Sequence, residues 1–213
     1  MNRFFKVLFV ALIAKPLVLI LLGLNVIHRE KLPQTGPSII AVNHNSHLDT
    51  LVLLSLYPLS LVHRLRPVAA ADYFLSNRII AWFSLNVIGI IPLTRNGSAK
   101  RDLFSDCHKA LDNGDILLIY PEGTRGEPEV TSKLKKGIYY LVKDRDDVSI
   151  VPVVTHGLGR ALPKGEALLV PFNCDVVIGN SLDNKSSPAE LVESLTDSYK
   201  ELLLQCLTYH EHD

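Results

Sequence analysis

The chain of 213 residues is poor in the features that announce several common protein classes. It has three cysteines, Cys107, Cys174 and Cys206, far apart and in no CxxC or metal-finger spacing. That excludes a disulfide framework and predicts reduced, buried thiols in an intracellular compartment. It has no excess charge of either sign, because 22 Lys and Arg balance 22 Asp and Glu. No global field draws nucleic acid, so local features must define any partner. No serine or cysteine stands in a GxSxG nucleophile elbow, and neither internal repeats nor low-complexity segments occur.

Apolar residues, by contrast, are plentiful: 47% of the chain, with a mean hydropathy of +0.20. Much of this excess lies at the start, in "FFKVLFVALIAKPLVLILLGLNVI". A membrane span needs about 20 mostly apolar residues, but Lys15 and Pro16 fall near the middle of this run. A lysine at the bilayer centre costs about 2.5–3.5 kcal/mol on insertion scales, and proline removes a helix hydrogen bond. No small-x-small cleavage site follows. Arg3, Lys6, Arg29 and Lys31 flank both ends, so charge fixes no orientation. Residues 1–31 are therefore expected to form a hydrophobic membrane anchor, broken in the middle and dipping into one leaflet, with a single span as the alternative. Residues 32–213 follow as the folded domain, entered through the turn-rich "KLPQTGP".

Within that domain, short apolar runs alternate with helical patterns. "SIIAV" (38–42), "RPVAAA" (66–71), "GIIPLT" (89–94), "DILLIY" (115–120), "VSIVPVV" (148–154) and "CDVVIG" (174–179) read as strands, several buried on both faces. "LDTLVLLSLY", "SNRIIAWFSLNV", "SAKRDLFSDCHKALDNG" and "TSKLKKGIYYLVKDR" read as helices. In the third, Ser98 is a fitting N-cap, Leu103, Cys107, Ala110 and Leu111 make one apolar stripe, and Gly114 supplies a left-handed stop. Ser187-Pro188 opens a last helix with Leu191, Leu195, Leu202 and Cys206 on one face. This alternation predicts an α/β layered domain, with a largely parallel central sheet flanked by helices.

Chemistry concentrates in "SIIAVNHNSHLD" (38–49). In a continuous helix, His44 and Asp49 would stand about 140° apart; in a strand, about 16 Å apart. A turn at the end of the "SIIAV" strand brings them together if Asp49 lies in the first turn of the next helix. The spacing of Ser46 and Asp49, as a cap and its third residue, supports a helix start there. A histidine oriented by a carboxylate is a general base near neutral pH. The plainer alternative is a polar cluster at a strand end, with Asp49 merely favouring the helix N-terminus. His47 is the weaker candidate and reads as supporting or structural, and a metal site lacks a third ligand at convincing spacing. With no nucleophile in sight, a base at His44 would take its proton from the substrate.

A second strand end, "DILLIYPEGTRG" (115–126), carries Glu122, Gly123, Thr124 and Arg125. Gly123 permits close backbone approach, and Arg125 offers a forked cation suited to phosphate or carboxylate; alone, the stretch is equally a turn with a surface ion pair. Arg95 closes a third strand. In "SIVPVVTHG", Pro152 by itself marks an edge or bulge, and His156 reads as a structural hydrogen-bonding group. Lys133, Lys135 and Lys136 read as a solvated helix face that could touch lipid headgroups. A base beside phosphate-reading groups, held at a membrane, describes an enzyme acting on a phosphate-bearing lipid alcohol.

These residues resemble the glycerolipid and lysophospholipid acyltransferases of the 1-acyl-glycerol-3-phosphate acyltransferase type, whose four blocks occur here in order. "NHNSHLD" matches N-H-x-x-x-x-D, which implies His44 as catalytic base and Asp49 as its partner. "GIIPLTR" is similar to the second block, with Arg95 binding the acceptor. Thr94 and Pro92 depart there from the Asp and Phe common in the family, which leaves the acceptor open. "YPEGTRG" resembles the third block, with Glu122, Gly123, Thr124 and Arg125 as acceptor and phosphate-binding residues. "IVPVVTHG" looks like the fourth, whose proline, Pro152, lies near the acyl site. The resemblance runs from about Leu32 to Leu182 and includes "KLKKG". It implies acyl transfer from acyl-CoA or acyl carrier protein to a lysophospholipid hydroxyl in phospholipid biosynthesis. It also implies no metal or other cofactor, no nucleic-acid partner, and a place at the cytoplasmic face of a bacterial inner membrane. Other acceptors (a lyso-aminolipid or glycerol 3-phosphate), hydrolysis, or lipid binding without turnover stay open.

Overall fold

The computed structural model describes residues 3–46, 48–74, 77–93, 103–124, 132–161, 172–183 and 187–209. In chain order the elements are α1 (Arg3–Phe9), α2 (Lys15–Leu21), β1 (Leu22–Ile27), β2 (Ser38–Val42), α3 (Leu48–Leu56), β3 (Leu65–Ala70), α4 (Ala71–Phe74), α5 (Arg78–Phe83), β4 (Ile91–Leu93), α6 (Ser105–Asp112), β5 (Ile116–Ile119), α7 (Gly137–Val142), β6 (Ser149–His156), α8 (Leu158–Ala161), β7 (Phe172–Ile178) and α9 (Pro188–Leu203). π-helical turns at Val10–Ala14 and Ser84–Ile88 join α1 to α2 and extend α5.

Seven strands form one sheet in the order β1-β7-β6-β2-β5-β3-β4. All neighbours pair parallel except β6 and β7, which run antiparallel, so the sheet is mixed and the expected α/β layering holds. Strand alternation sends β2 side chains into two cores. Ile40 and Val42 join the cluster under α2, α3 and α8, whereas Ile39 and Ala41 join the one under α6, α7 and α9. Burial on both faces is why "SIIAV" reads as a continuous apolar run.

The N-terminal expectation needs correction. The apolar run is not an anchor set ahead of the domain: its second part, Leu22–Ile27, is the edge strand β1, paired with β7. Its first part packs Val10, Ala14, Val18 and Leu22 into the same core as Val52 and Leu53 of α3. Among the described residues no helix is long and apolar enough to cross a membrane. Lys6 is fully buried, its ammonium donating to the Leu65 carbonyl. Buried positions 6, 10, 14 and 18 recur every four residues, a spacing that drifts around an α-helix. The wider π-turn offsets that drift and keeps the face on the core.

Other elements follow the sequence closely. Gly114 has φ 72°, as its stop role requires, and the Ser187 side chain caps α9 by accepting from Glu190 N. Cys107, Cys174 and Cys206 are buried and form no disulfide with one another. Ser98 lies outside the described residues. Leu103 is 48% exposed and precedes α6, so it does not extend the Cys107–Leu111 stripe. Lys133–Lys136 is irregular, the helix starting only at Gly137.

Pro152 lies in an interior strand, not at an edge. Its carbonyl accepts from Gly179 N on the β7 side. The N and C=O of one strand residue point the same way, so the missing donor faces a ladder that begins only at Val153.

Candidate active site

β6, β2 and β5 are neighbours, and their C-terminal ends carry Thr155, His44 and Tyr120–Gly123 to one rim of the sheet. Ligand sites of α/β domains sit at such rims. The chain leaves β2 without regular structure through Asn43–Ser46, and α3 begins at Leu48. This is the turn that a five-residue separation needs. His44 Nδ1 stands 2.9 Å from Asp49 Oδ2. The same oxygen accepts the backbone N–H groups of Asn45 (3.0 Å) and Ser46 (2.9 Å). Ser46 Oγ in turn accepts from Leu48 N, so Ser46 and Asp49 cap the helix start reciprocally.

Asp49 is fully buried, while the His44 side chain keeps 19% of its surface. A buried acceptor on Nδ1 fixes the tautomer and leaves Nε2 as the basic nitrogen. The imidazole is held from a second direction, because Tyr120 stacks on it with ring centroids 4.1 Å apart and planes 25° apart. Tyr120 is anchored through a 2.7 Å hydroxyl contact with Thr50 of α3. Burial pushes the Tyr120 phenol well above its usual range, so it stays neutral.

The loop itself is tied to β6. Asn43 Nδ2 donates to Thr155 O (2.8 Å) and Asn43 Oδ1 accepts from Thr155 N (2.7 Å), while Asn45 Nδ2 also donates to Thr155 O (3.2 Å). The Thr155 hydroxyl lies 3.3 Å from Asp49 Oδ1 and 3.2 Å from Asn43 Oδ1, its one hydrogen serving one oxygen at a time.

Glu122, expected among the acceptor-binding groups, instead has its buried carboxylate on backbone amides. It accepts from His44 N (3.1 Å) and Ser132 N (3.3 Å). Burial pushes its carboxyl above the ordinary range, and these two N–H groups partly restore the charged form. Glu122 thereby clamps the His44 loop to the β5 turn. Gly123 sits at φ 73° in that turn, its N–H donating to Tyr120 O. Thr124 is exposed beside it.

Arg95, Arg125 and His47 lie outside the described residues. Pro152 shares its strand parity with Ile150 and Val154, in the core under α9. Asp49 and Thr155 meet on the opposite face, so the structure does not bring Pro152 to the His44–Asp49 pair. His156 is structural, as expected, bonded through Nδ1 to Thr208 (2.7 Å). Among the described residues no group of His, Cys, Asp and Glu could hold a metal ion. The sequence reading missed Tyr120, Thr155, Asn43 and Asn45 as supports of the His44 loop. The asparagines stood in the polar cluster it singled out; pairing with Thr155, more than a hundred positions away, left no local signal.

A family model described as Acyltransferase matches residues 23–156. A chloroplastic 1-acyl-sn-glycerol-3-phosphate acyltransferase of Arabidopsis thaliana is 30% identical over 158 residues, covering 73% of this chain and 42% of that protein. A putative 1-acyl-sn-glycerol-3-phosphate acyltransferase of Caenorhabditis elegans is 27% identical over 186 residues, covering 83% and 64%. The chain thus spans about two fifths of the length of the plant relatives it matches. The crystal structure of the 1-acyl-sn-glycerophosphate acyltransferase of Thermotoga maritima matches with a TM-score of 0.76 at 18% identity, over 97% of this chain and 82% of that one. At that identity the likeness shows the fold.

Proposed function

Because this chain belongs to the acyltransferase family, we propose that it transfers a fatty acyl group from an acyl thioester to the free hydroxyl of 1-acyl-glycerol 3-phosphate, giving phosphatidate. The observation that carries this reading is the His44–Asp49 contact of 2.9 Å at an open rim. Nε2 of His44 takes the proton of the acceptor hydroxyl as its oxygen attacks the thioester carbonyl. Asp49 stabilises the imidazolium that forms. The tetrahedral intermediate collapses, the C–S bond breaks, and the departing thiolate receives the proton back from His44. Acyl-CoA or acyl carrier protein is the donor. A thioester is already activated, so the step calls for neither a metal nor a covalent enzyme intermediate.

In this reading His44 is the catalytic base and Asp49, Tyr120 and Glu122 position it. Arg95 and Arg125 bind the acceptor phosphate. Association with a membrane surface completes the proposal. Large apolar side chains are exposed on α1, α2 and α5, and Phe5 and Phe9 meet Trp82 and Phe83 edge-on across these helices. Lysolipid reaches the enzyme from such a surface, and a contiguous apolar patch gives a protein a hold on one.

The test is to incubate purified protein with labelled acyl-CoA and lysophosphatidate. Phosphatidate is the expected product, and His44→Ala should lower kcat by about 10²–10⁴, the usual worth of a general base, with the fold unchanged by circular dichroism. Free fatty acid without a diacyl product would overturn transfer in favour of hydrolysis.

A further inference from the structure

Lys135 belongs to a lysine-rich stretch that composition alone places on a solvated surface, yet its backbone is fixed against the β5 turn. Three contacts hold the segment there. Ser132 N donates to Glu122 Oε2 (3.3 Å), Leu134 is buried in the core under α7, and Lys135 N donates to Pro121 O (2.8 Å). The stretch therefore runs back along Pro121–Glu122, and the Lys135 side chain arches over Gly123. A Cβ at position 123 would stand 2.6 Å from Lys135 Nζ, 3.0 Å from Cδ and 3.1 Å from Cε. Glycine is thus required twice at 123, by its φ of 73° and by the lysine stem that crosses it.

The ammonium is placed one residue from Glu122, whose carboxylate holds His44 N. Lys135 is exposed and makes no ion pair among the described residues, while both oxygens of Glu122 are engaged by backbone N–H groups. A compact cation with three donors, at the rim of a site with a general base, suits a phosphate monoester. The phosphate of a 1-acyl-glycerol 3-phosphate hangs one carbon from the carbon bearing its free hydroxyl. A cation that grips it must lie close to the base.

We propose that Lys135 is a binding residue for the phosphate monoester of the acceptor, which makes the Pro121–Thr124 turn and Lys135 one anion subsite. This rests on the acceptor reading above. Lys133 and Lys136, exposed on the same stretch, are not part of the subsite and serve as controls.

The experiment uses acceptor in uncharged detergent micelles, so that attraction to an anionic lipid surface does not contribute. For Lys135→Ala, the KM for lysophosphatidate should rise about ten- to a hundredfold, the worth of a hydrogen bond to a charged group. Meanwhile kcat should change little, and Lys135→Arg should recover part of the loss. The low rate with monoacylglycerol, which lacks the phosphate, should be unaffected. Lys133→Ala and Lys136→Ala should behave as wild type. An unchanged KM for Lys135→Ala, or an equal loss in the two controls, overturns the proposal. Equilibrium binding of lysophosphatidate in a His44→Ala background separates this inference from the activity. Binding weakened by Lys135→Ala, when the protein with His44 intact shows no turnover, upholds the subsite and defeats the acyltransfer reading. Turnover with lysophosphatidate, together with binding indifferent to Lys135, does the reverse.

Discussion

At Asp49 a single carboxylate oxygen, Oδ2, takes the imidazole N–H of His44 and the backbone N–H groups of Asn45 and Ser46. The group that sets the tautomer of His44, the proposed base, thus also folds the loop that presents it. Asp49→Asn tests both roles. The amide lacks the charge that stabilises an imidazolium, and its NH₂ can be turned towards the ring. We expect kcat to fall by about 10²–10⁴ and stability by roughly 1–3 kcal/mol as buried N–H groups lose a charged acceptor. Single-turnover kinetics and urea denaturation check the two separately. Full activity in this variant would mean that the His44–Asp49 contact is a cap and nothing more.

Among the elements, the helical segment from Arg3 to Leu21 is the least conventional, because its buried face includes Lys6. Burial, with Arg66 nearby, depresses the ammonium from 10.5 to about 7, with Asp115 acting the other way. The unfolded chain then binds more protons than the folded one between pH 7 and 10.5, so stability rises with pH across that window. The cost of charging Lys6 is fully present below pH 7 and gone above 10.5, where both states are neutral. Lys6→Met removes this titration. Its stability advantage over wild type, at most ~5 kcal/mol at neutral pH, should shrink by about 1.4 kcal/mol per pH unit on going up from pH 7. Urea denaturation of both proteins at pH 7, 8 and 9 reads the slope directly, and parallel curves would show that Lys6 does not change charge on folding.

For the whole molecule, one sheet separates two apolar cores, and the helices on the α2–α3 side leave a third apolar surface uncovered. Leu19, Ile20 and Ile79 are 76%, 78% and 79% exposed, with Trp82 and Leu12 also open. Burying one such side chain is worth about 1.5–3 kcal/mol, so a handful inserted in a headgroup region gives firm attachment. Changing Ile79, Ile80 and Trp82 to serine should cut partitioning onto phospholipid vesicles more than about tenfold in a sedimentation assay. Turnover with detergent-dispersed acceptor should survive. Vesicle binding equal to wild type would rule this surface out as the membrane contact proposed above.

The sequence by itself determined the features that depend on near neighbours. The strand β2, the turn after it, the reciprocal cap at Ser46 and Asp49, and so the meeting of His44 with Asp49 are all written within twelve residues. The alternation of strands and helices likewise determined the layered α/β class. Tertiary structure decided whatever depends on distant partners. Leu22–Ile27 is a strand because β7 offers it a parallel edge, and an apolar run of that length carries no local mark to tell strand from helix. Tyr120 stacks on His44, and Glu122 turns from a ligand group into a clamp, because β5 lies beside β2 in the sheet. Lys135 crosses Gly123 because Leu134 needs burial. Local hydrogen bonds and periodicity are legible from residue order, whereas contacts across a sheet exist only once strand order has been chosen.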